Sequence, residues 1–443
     1  HFRIRKGLDL PMAGLPDRRL EAAAEVETVA IVGADYQGLE PRLLVAEGDR
    51  LQAGEPILEQ KRDPDVRLTA PGSGKVIAIN RGARRVLKSV VIELDDPSAA
   101  VDFAYAGSLE DPRRALLESG LWCAFRARPY GHVPRSDEEP NGIFVTAMDS
   151  RPLAGDPQVM IDGQEQAFAQ GLEVLKNLSP APVYLCTERG WTGPLVDGVQ
   201  HATFSGPHPA GLPGTHIHHI APVGPGRSAW HLGWQDVIVI GRLFAEGVLS
   251  FARVIALGGD TFAAPRLLRT RMGADLVAVA AGEWLPREPD AAAPRLLSGS
   301  PLCGRAAEGS ERWLGRYHDQ VCGLQPPPAG RRLRWRRLLD GRFSFAGTFD
   351  RRAGASTRPF TTDQNGRATA LVPIDAFEKM VPLEVLTEPL LRALLIGDTD
   401  QAQALGCLEL VEEDLALCSF ICPGKNDYGA VLRVNLDLIE LEG

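Results

Sequence analysis

The sequence predicts an α+β protein of several domains, with a β-rich N-terminal part, a strand–helix central part, a third β segment and a helical C-terminal region. Its 443 residues exceed what one ordinary hydrophobic core accommodates. Short apolar runs separated by Gly and Pro fill residues 25–100, which is typical of a small barrel or sandwich. Strand and helix patterns alternate over residues 110–256, which indicates a parallel sheet.

Composition limits the classes of partner. The formal net charge of -9 argues against nucleic acid, because phosphate binding needs a cationic face. The longest apolar stretch, 237–259, is interrupted by Arg242, Glu246 and Arg253, so no membrane-spanning helix is predicted. The N-terminus lacks the apolar core of a secretory signal, and the seven scattered cysteines fit reduced thiols. We therefore expect the chain to stay in the cytoplasm.

The pattern of elements divides the chain into four predicted domains, residues 1–105, 106–252, 253–330 and 331–443. The last comprises a linker and a region rich in helix formers. The central domain carries the clearest elements. We predict helices over 111–120 and 164–178, strands over 142–148 and 182–186, and an apolar strand at 237–240 that leads into a helix near 242–247.

The N-terminal domain resembles biotinyl and lipoyl carrier domains, which are barrel-sandwich hybrids. The turns of that pattern are present in Glu47–Gly54 and in Ala70–Val76. In carrier domains a lysine sits at a hairpin tip between methionines, and here Lys61 lacks those methionines. The sequence therefore predicts a carrier-like fold with no carried group.

A second motif begins at Gly120. In the flavin-binding subunit of complex I this position carries a glycine-rich loop, whose glycines let backbone amides approach a phosphate. Only Gly120 remains here, and Trp122, Phe125 and Arg126 would occupy the phosphate cradle. We therefore expect no FMN in that manner. Two interpretations stay open: the aromatic and guanidinium groups face a flat ligand such as a quinone ring, or Trp122 and Phe125 belong to the core.

The C-terminal cysteines form an incomplete iron–sulfur motif. Cys418 and Cys422, followed by Pro423, match the end of a ferredoxin run of the form CxxCxxCxxxCP. Cys407 is displaced, and Leu410 stands where the second cysteine would be. Three cysteines at stretched spacing do not complete a four-thiolate cage, so we expect a structural remnant.

The segment 208–219 is dense in histidine. His216 and His218 would share one face of a strand, which makes them weak candidates for a metal pair. The alternative is a turn shaped by Gly and Pro whose imidazoles bond the backbone. No acidic or cysteine ligand lies close by in the sequence, and we predict no metal site.

Taken together, these pieces resemble the A-subunit family of the bacterial Na+-translocating NADH:quinone oxidoreductase. The matching stretches run along the chain: Lys6–Pro11, Thr69–Pro71 with Gly74–Val76, Asn80–Ala83, Gly206–Leu212, Gly214–His216, Leu314–His318, Gly397–Asp400 with Ala402–Cys407, and Cys422–Lys425. The resemblance implies a barrel-sandwich hybrid, a Rossmann-like α/β domain, a β-grasp domain of the soluble-ligand-binding type (SLBB-like) and a helical C-terminal region.

The resemblance also implies a place in a respiratory complex. The chain would be one of six subunits, peripheral and on the cytoplasmic face of the bacterial inner membrane, and would contact a membrane-embedded quinone-side subunit. Flavins and iron centres in partner subunits would carry electrons from NADH to ubiquinone while Na+ is exported. The chain itself would hold no cofactor and no catalytic residue, with ubiquinone as its possible ligand.

Two segments associated with quinone in that family are the candidate site. They supply the following residues: Gly33, Asp35, Tyr36 and Gly38 from the first, and Phe125, Arg126, Arg128, Tyr130 and His132 from the second. The aromatic rings would stack on the quinone ring. An arginine or His132 would donate to a quinone carbonyl and stabilise its charge.

Two other functions remain open from the sequence. One is a purely structural subunit that docks on the membrane subunits without touching quinone. The other is a flavin- and NADH-binding subunit of the complex I type, which would require an intact cofactor loop.

Overall fold

The N-terminal strands form a sandwich in the computed structural model, which describes residues 1–95, 99–103, 111–288, 292–327, 357–364 and 368–442. The strands of the sandwich are β3 (Thr28–Val32), β4 (Pro41–Leu43), β5 (Arg50–Leu51), β6 (Pro56–Gln60), β7 (Asp63–Thr69), β8 (Gly74–Arg81) and β9 (Leu87–Leu94), and they are preceded by β1 (Phe2–Arg3) and β2 (Leu20–Ala22), which join other sheets. One antiparallel sheet has the order β3-β9-β8-β5 and the other β4-β6-β7. Val29, Ile57 and Val76 are fully buried in a shared core, as the turn spacing predicts.

The hairpin between β6 and β7 places Lys61 at its tip. Gln60 and Asp63 are paired across the turn, and Lys61 is exposed there. The carrier-like hairpin predicted from the sequence is therefore present.

The central part is a mainly parallel sheet flanked by helices. Its elements are α1 (Pro112–Glu118), β10 (Arg126–Arg128), β11 (Ile143–Ala147), α2 (Pro157–Ile161), α3 (Glu165–Leu178), β12 (Val183–Glu188), β13 (Gln200–Ser205), α4 (Pro213–Ile220), β14 (Ala229–Gly233) and α5 (Trp234–Glu246). The strand order is β1-β13-β12-β11-β14-β10, and only β10 runs antiparallel to its neighbour. Helices α3 and α5 cross closely at Gly171 and Gly241, where an added Cβ would lie 2.0 Å from Val237 O and 1.8 Å from Ala167 O.

One predicted strand is wrong. Residues 237–240 lie inside helix α5, and all four are buried. The helix is enclosed on several sides by the sheet and by α3, so its apolar residues form a continuous run. A short apolar run of that kind does not distinguish a buried helix from a buried strand.

The third part is mainly β, as predicted. It contains β15 (Ala252–Gly258), β16 (Arg266–Arg271), α6 (Leu276–Val279), β17 (Arg295–Ser298), β18 (Arg305–Ala306) and β19 (Gln320–Leu324). The sheet order is β18-β17-β19-β15-β16-β2. Strand β2 therefore completes this sheet from the N-terminal segment, just as β1 extends the central sheet by pairing with β13.

The C-terminal part is helical, with α7 (Thr387–Ile396), α8 (Thr399–Ala404), α9 (Ala416–Ile421) and α10 (Tyr428–Glu442). Leu390, Leu415 and Leu432 are among its fully buried residues. The predicted last domain begins with a linker at residue 331, and residues 331–356 lie outside the described residues. Among those that are described, no helix is both long and apolar enough to cross a membrane.

Short 3-10 turns connect these elements. They lie at Gly33–Asp35, Ala83–Arg85, Leu121–Ala124, Gly309–Glu311, Phe377–Lys379, Cys407–Glu409 and Glu412–Leu415.

Candidate functional site

A cavity opens at the carboxyl ends of the central parallel strands. Strands β12 and β13 lie on one side of β11, whereas β14 lies on the other. Open α/β sheets bind ligands in the crevice outside the carboxyl ends, at the point where the strand order reverses. An outer cavity of about 310 Å³ and an inner chamber of about 60 Å³ lie there. They adjoin across shared residues: Arg126, Asp149, Arg151, His231, Tyr317 and Asp319.

All four parts of the chain contribute to the outer cavity. Its other lining residues are Ala34, Asp35 and Gln37 from the first part, Gly131 from the second, Gly299, Ser300, Cys303, Arg305, His318 and Gln320 from the third, and Val411, Glu412, Glu413 and Arg433 from the last. The two segments singled out from the sequence therefore meet at one cavity. Asp35 of the first segment and Arg126 of the second both line it.

Arg126 is held against an aromatic ring. Its guanidinium lies 4.7 Å from the centroid of Tyr317, a cation–π geometry. No carboxylate of the described residues forms an ion pair with Arg126. Burial lowers the pKa of its guanidinium. An arginine remains protonated under such conditions, so the cavity wall carries a charged donor with no hydrogen-bond acceptor among the described residues.

The ring of His231 is the second group without a partner. It faces Arg126 across the β10–β14 pairing, is 3% exposed and makes no hydrogen bond to the described part of the chain. Burial, together with Arg126, Arg128 and Arg151, holds its pKa well below the usual value. The ring is therefore neutral, with one nitrogen able to donate and the other to accept.

A charged corner around Arg151 borders these groups. Arg151 Nη2 donates to Glu413 Oε2 at 2.8 Å, and its Nη1 donates to Asp149 Oδ2 at 3.0 Å. Burial acts to raise the pKa of Glu413, but Arg151 outweighs it and holds the pKa low. At Asp149 burial prevails and raises the pKa. Burial and Asp149 raise the pKa of Asp319 to about 6.

The sequence prediction misses most of this corner. Asp149 and Arg151 directly follow the strand predicted at 142–148, and polar residues just after a parallel strand are a signal for a site. Glu413 and Tyr317 carry no such signal, because only the fold brings them to the sheet.

The first predicted segment lines the cavity with Asp35 and supports it from behind with Tyr36. Tyr36 is buried, with its ring edge-on to Tyr317 and the two centroids 6.2 Å apart, and burial raises its pKa well above the usual value. Asp35 pairs with Arg305 and accepts a hydrogen bond from Arg316 N at 2.8 Å. Both side chains therefore position cavity residues rather than standing free.

Gly33 and Gly38 contribute backbone geometry. An added Cβ on Gly33 would lie 2.2 Å from Leu87 O, and Gly38 has a φ of 70°, where side chains other than hydrogen are strained. These two glycines shape the turn that carries Asp35.

The residues of the second predicted segment take different positions in the fold. Arg128 is 2% exposed, does not line the cavity and pairs with Asp414 at 2.8 Å. Tyr130 and His132 stack with ring centroids 6.0 Å apart, and Tyr130 has a φ of 78°. Such a conformation costs about 1–3 kcal/mol and clusters at functional sites. His132 Nδ1 lies 3.4 Å from Glu440 Oε1.

Phe125 lies in the core, behind the cavity wall. Phe125, Trp122 and Trp230 are all fully buried, with ring centroids 5.2 to 5.6 Å apart. Trp122 Nε1 donates to Pro134 O at 2.8 Å. Trp122 and Phe125 therefore belong to the core, which is one of the two interpretations that the sequence left open.

The histidine pair does not lie on a strand. His216 and His218 belong to helix α4, where residues two apart point to different sides because the period is about 3.6 residues. His216 bonds Ala210 O at 3.0 Å, and His218 bonds Glu409 Oε2 at 2.7 Å. The strand prediction is wrong, and within the described ranges no group of three or more His, Cys, Asp or Glu side chains is arranged to hold a metal ion.

The C-terminal cysteines are packed as core residues. Cys407, Cys418 and Cys422 are buried, free thiols. Cys422 Sγ lies 3.3 Å from Tyr428 Oη. Burial acts to raise the pKa of Cys422, but the bonds from Tyr428 and Asn426 outweigh it.

Three family models match successive parts of the chain. They are described as the NqrA N-terminal barrel-sandwich hybrid domain at residues 2–95, the NqrA second alpha/beta domain at 108–249 and the NQRA C-terminal domain (SLBB) at 254–309.

Three of the named relatives that the chain resembles match it over its whole length. All three are the A-subunits of Na(+)-translocating NADH-quinone reductases: that of Pseudomonas aeruginosa PAO1 is 48% identical, that of Alcanivorax borkumensis 46% and that of Neisseria meningitidis 44%. Each match covers 100% of this chain and 100% of the relative. A solved NAD+-reducing [NiFe]-hydrogenase chain is 13% identical with a TM-score of 0.40, over 77% of this chain and 69% of that one, too distant a likeness for any argument.

Proposed function

Since the chain belongs to the A-subunit family of Na+-translocating NADH-quinone reductases, we propose that it works at the quinone-reducing end of the complex and holds no redox cofactor itself. The chain is one subunit of that enzyme complex. In the proposal it lies on the cytoplasmic face of the membrane as one of six subunits, and flavins and iron centres in the others deliver the electrons to ubiquinone.

The proposal rests on one observation: the two predicted segments meet at the outer cavity, at the carboxyl ends of the central strands. Arg126 and His231 lie beside each other there, and neither side chain has a hydrogen-bond partner in the described chain. A quinone head group accepts hydrogen bonds at its two carbonyl oxygens, so these groups supply the donors that it needs. The strained turn at Tyr130 borders the same cavity and supports a functional role.

The chemistry required of the chain is charge stabilisation and proton supply. Two electrons from partner subunits and two protons convert a quinone to a quinol. As the carbonyl oxygens gain negative charge, the fixed guanidinium of Arg126 stabilises them. Asp319, with a pKa of about 6, exchanges protons close to neutral pH and can supply one.

The core position of Trp122 and Phe125 supports the absence of a flavin in this chain. Their rings occupy the core at the turn where the complex I subunit has open glycines, so backbone amides have no cleared path to a phosphate. A visible absorption spectrum of the purified chain tests this. A yellow or brown protein would contradict the proposal.

Photolabelling of the intact complex tests quinone contact. A quinone analogue should label peptides containing residues 33–38, 126–132 or 231. Label confined to other subunits would refute direct contact.

Substitution of Arg126 is the sharper test. Arg126→Gln should lower kcat/KM for the quinone about 10- to 100-fold, because a hydrogen bond to a charged group contributes about 1.5–3 kcal/mol. Arg227→Gln is the matched control at an exposed arginine and should leave kcat/KM unchanged. Equal activity in both variants would exclude Arg126 from the site.

A purely structural docking role is the second candidate, favoured by one observation. Val434, Leu438 and Leu441 on helix α10 are 59%, 40% and 80% exposed and lie on one face at spacings of four and three residues. An apolar stripe of this kind marks an interaction surface. A docking role predicts that surface variants on α10 lose assembly, while Arg126→Gln keeps quinone turnover.

A further inference from the structure

The inner chamber lies where helix α5 begins. It is lined by the first turn of that helix, Gly233–Asp236, and by Thr146 at the carboxyl end of β11. Gly233 offers no side chain to cap the helix, and no side-chain cap bond is present. The N–H groups of a first helical turn have no partner within the helix, and the helix dipole places partial positive charge there. An uncapped start of a 13-residue helix therefore faces a buried space.

Two buried side chains that line the chamber carry polar atoms without a partner. Thr146 is 7% exposed and Arg253 is 4% exposed. Thr146 Oγ1 and Arg253 Nη1 have no hydrogen-bond partner in the described chain. Leaving such an atom unsatisfied costs about 1–3 kcal/mol, so two at one chamber indicate a ligand that supplies acceptors.

Cationic side chains outnumber anionic ones in the lining of the chamber, where four arginines, Arg126, Arg151, Arg253 and Arg316, stand against three aspartates, Asp149, Asp236 and Asp319. Asp236 pairs with both Arg253, at 2.5 Å, and Arg316, at 3.0 Å, so one carboxylate serves two guanidinium groups. Asp319 accepts from Gln235 Nε2 at 2.7 Å, and burial raises its pKa to about 6. The lining therefore holds one more guanidinium than it holds carboxylates, and an added negative charge is favoured in the chamber.

The size of the chamber limits the ligand. Its volume of about 60 Å³ is roughly twice the share of one water molecule in the liquid. That space accepts one halide-sized ion with a water beside it. It does not accept a nucleotide or a quinone ring.

We propose that the inner chamber binds one small monovalent anion, with chloride as the cellular example, between Thr146, Arg253 and the first turn of α5. This site goes beyond the quinone proposal and does not depend on it. The anion accepts hydrogen bonds from the Thr146 hydroxyl and from Arg253 Nη1, and it balances the one excess guanidinium of the lining.

Bromide is the probe, because it substitutes for chloride and scatters X-rays anomalously. Crystals of the full chain grown without chloride and soaked in sodium bromide should show an anomalous peak within hydrogen-bond distance of Thr146 Oγ1 and Arg253 Nη1. Exchange of sodium gluconate for sodium bromide at constant ionic strength should also raise the Tm by about 1–2 °C. The absence of a peak in the chamber, or density that refines as water alone in bromide, would overturn the proposal.

Thr146→Val removes the hydroxyl with little change in shape. Thr387→Val is the matched control, because Thr387 is also buried with an unpartnered hydroxyl and lies on helix α7. The bromide effect on Tm and the anomalous peak should be lost in the first variant and kept in the second. An equal bromide response in both variants would refute the site, whatever the outcome of the quinone tests.

Discussion

At the scale of single residues, the candidate site combines groups that the sequence indicates with groups that only folding reveals. Asp35 and Arg126 lie in the two segments chosen from the sequence, and both line the cavity. His231 escapes prediction, because a histidine inside an apolar strand has the pattern of a core residue. Its pairing with Arg126 across β10 and β14 decides its importance, and the sequence does not display that register.

Arg128 illustrates how a plausible ligand residue serves the fold instead. Its Nη1 donates to Glu409 O at 2.7 Å and to Asp414 Oδ2 at 2.8 Å, which joins β10 to two 3-10 turns of the C-terminal part. Arg128→Met should lower the free energy of unfolding by about 3–5 kcal/mol, because the Asp414 carboxylate would stay buried without a cation. Urea unfolding followed by circular dichroism measures this.

A double variant separates the ion pair from simple packing. Arg128→Met with Asp414→Asn should cost less than the sum of the two single changes, since no buried charge is then left unpaired. Strict additivity of the three values would contradict the account of this pair.

At the scale of elements, periodicity succeeds where a helix has a polar face. Helix α3, predicted at 164–178, lies at Glu165–Leu178, and its buried residues, among them Phe168, Leu172 and Leu175, recur every three or four positions. Helix α5 is mistaken for a strand at 237–240, because both the sheet and α3 cover it. Thus the most enclosed helix beside the site is the hardest to identify.

Helix α10 carries the element-scale prediction, which tests the docking role. The double variant Val434→Glu/Leu441→Glu should reduce recovery of this subunit with its partners about tenfold or more, because charges would replace an apolar contact face. Co-purification of the tagged complex measures the recovery.

The control places the same changes on exposed residues elsewhere. Leu195 and Val248 are 61% and 53% exposed, so Leu195→Glu/Val248→Glu is matched in residue type and exposure. Both double variants should keep the Tm of the wild type. Normal recovery of the α10 variant would show that the stripe is not a contact face.

At the scale of the whole molecule, buried histidines set a pH dependence. Burial lowers the pKa of His208 and His318 to about 4 and that of His216 to about 3. Unfolded, each would titrate near 6.5. Between these values the unfolded chain binds more protons, so stability is intact above pH 6.5 and falls as the pH drops toward 4.

The expected loss is about 3 kcal/mol for each histidine over that interval. Urea midpoints measured between pH 8 and pH 5 should fall steadily below pH 6.5. His208→Gln should be less stable at pH 8 yet show a shallower decline. A flat profile in the wild type, or the same slope in both proteins, would contradict this assignment.

The broad plan of β-rich, strand–helix and helical parts is largely accessible from the sequence, because turn residues and strand–helix alternation are local signals. The exceptions are β1 and β2, which are two and three residues long and have no pattern of their own. Their partners, β13 and β16, lie far along the chain. Long-range pairing of such short strands is a property of the assembled fold.

Those two short strands impose an order on biosynthesis. Their partners leave the ribosome only after about 200 and 250 further residues, which takes roughly 10–50 s at 5–20 residues per second. Until then the first 22 residues have no sheet to join. The sandwich can close while the chain is still growing. The central and third sheets, in contrast, are completed by β1 and β2, which are synthesised long before the strands that they join. A ribosome-arrested chain ending before residue 266 should therefore leave β2 open to proteolysis.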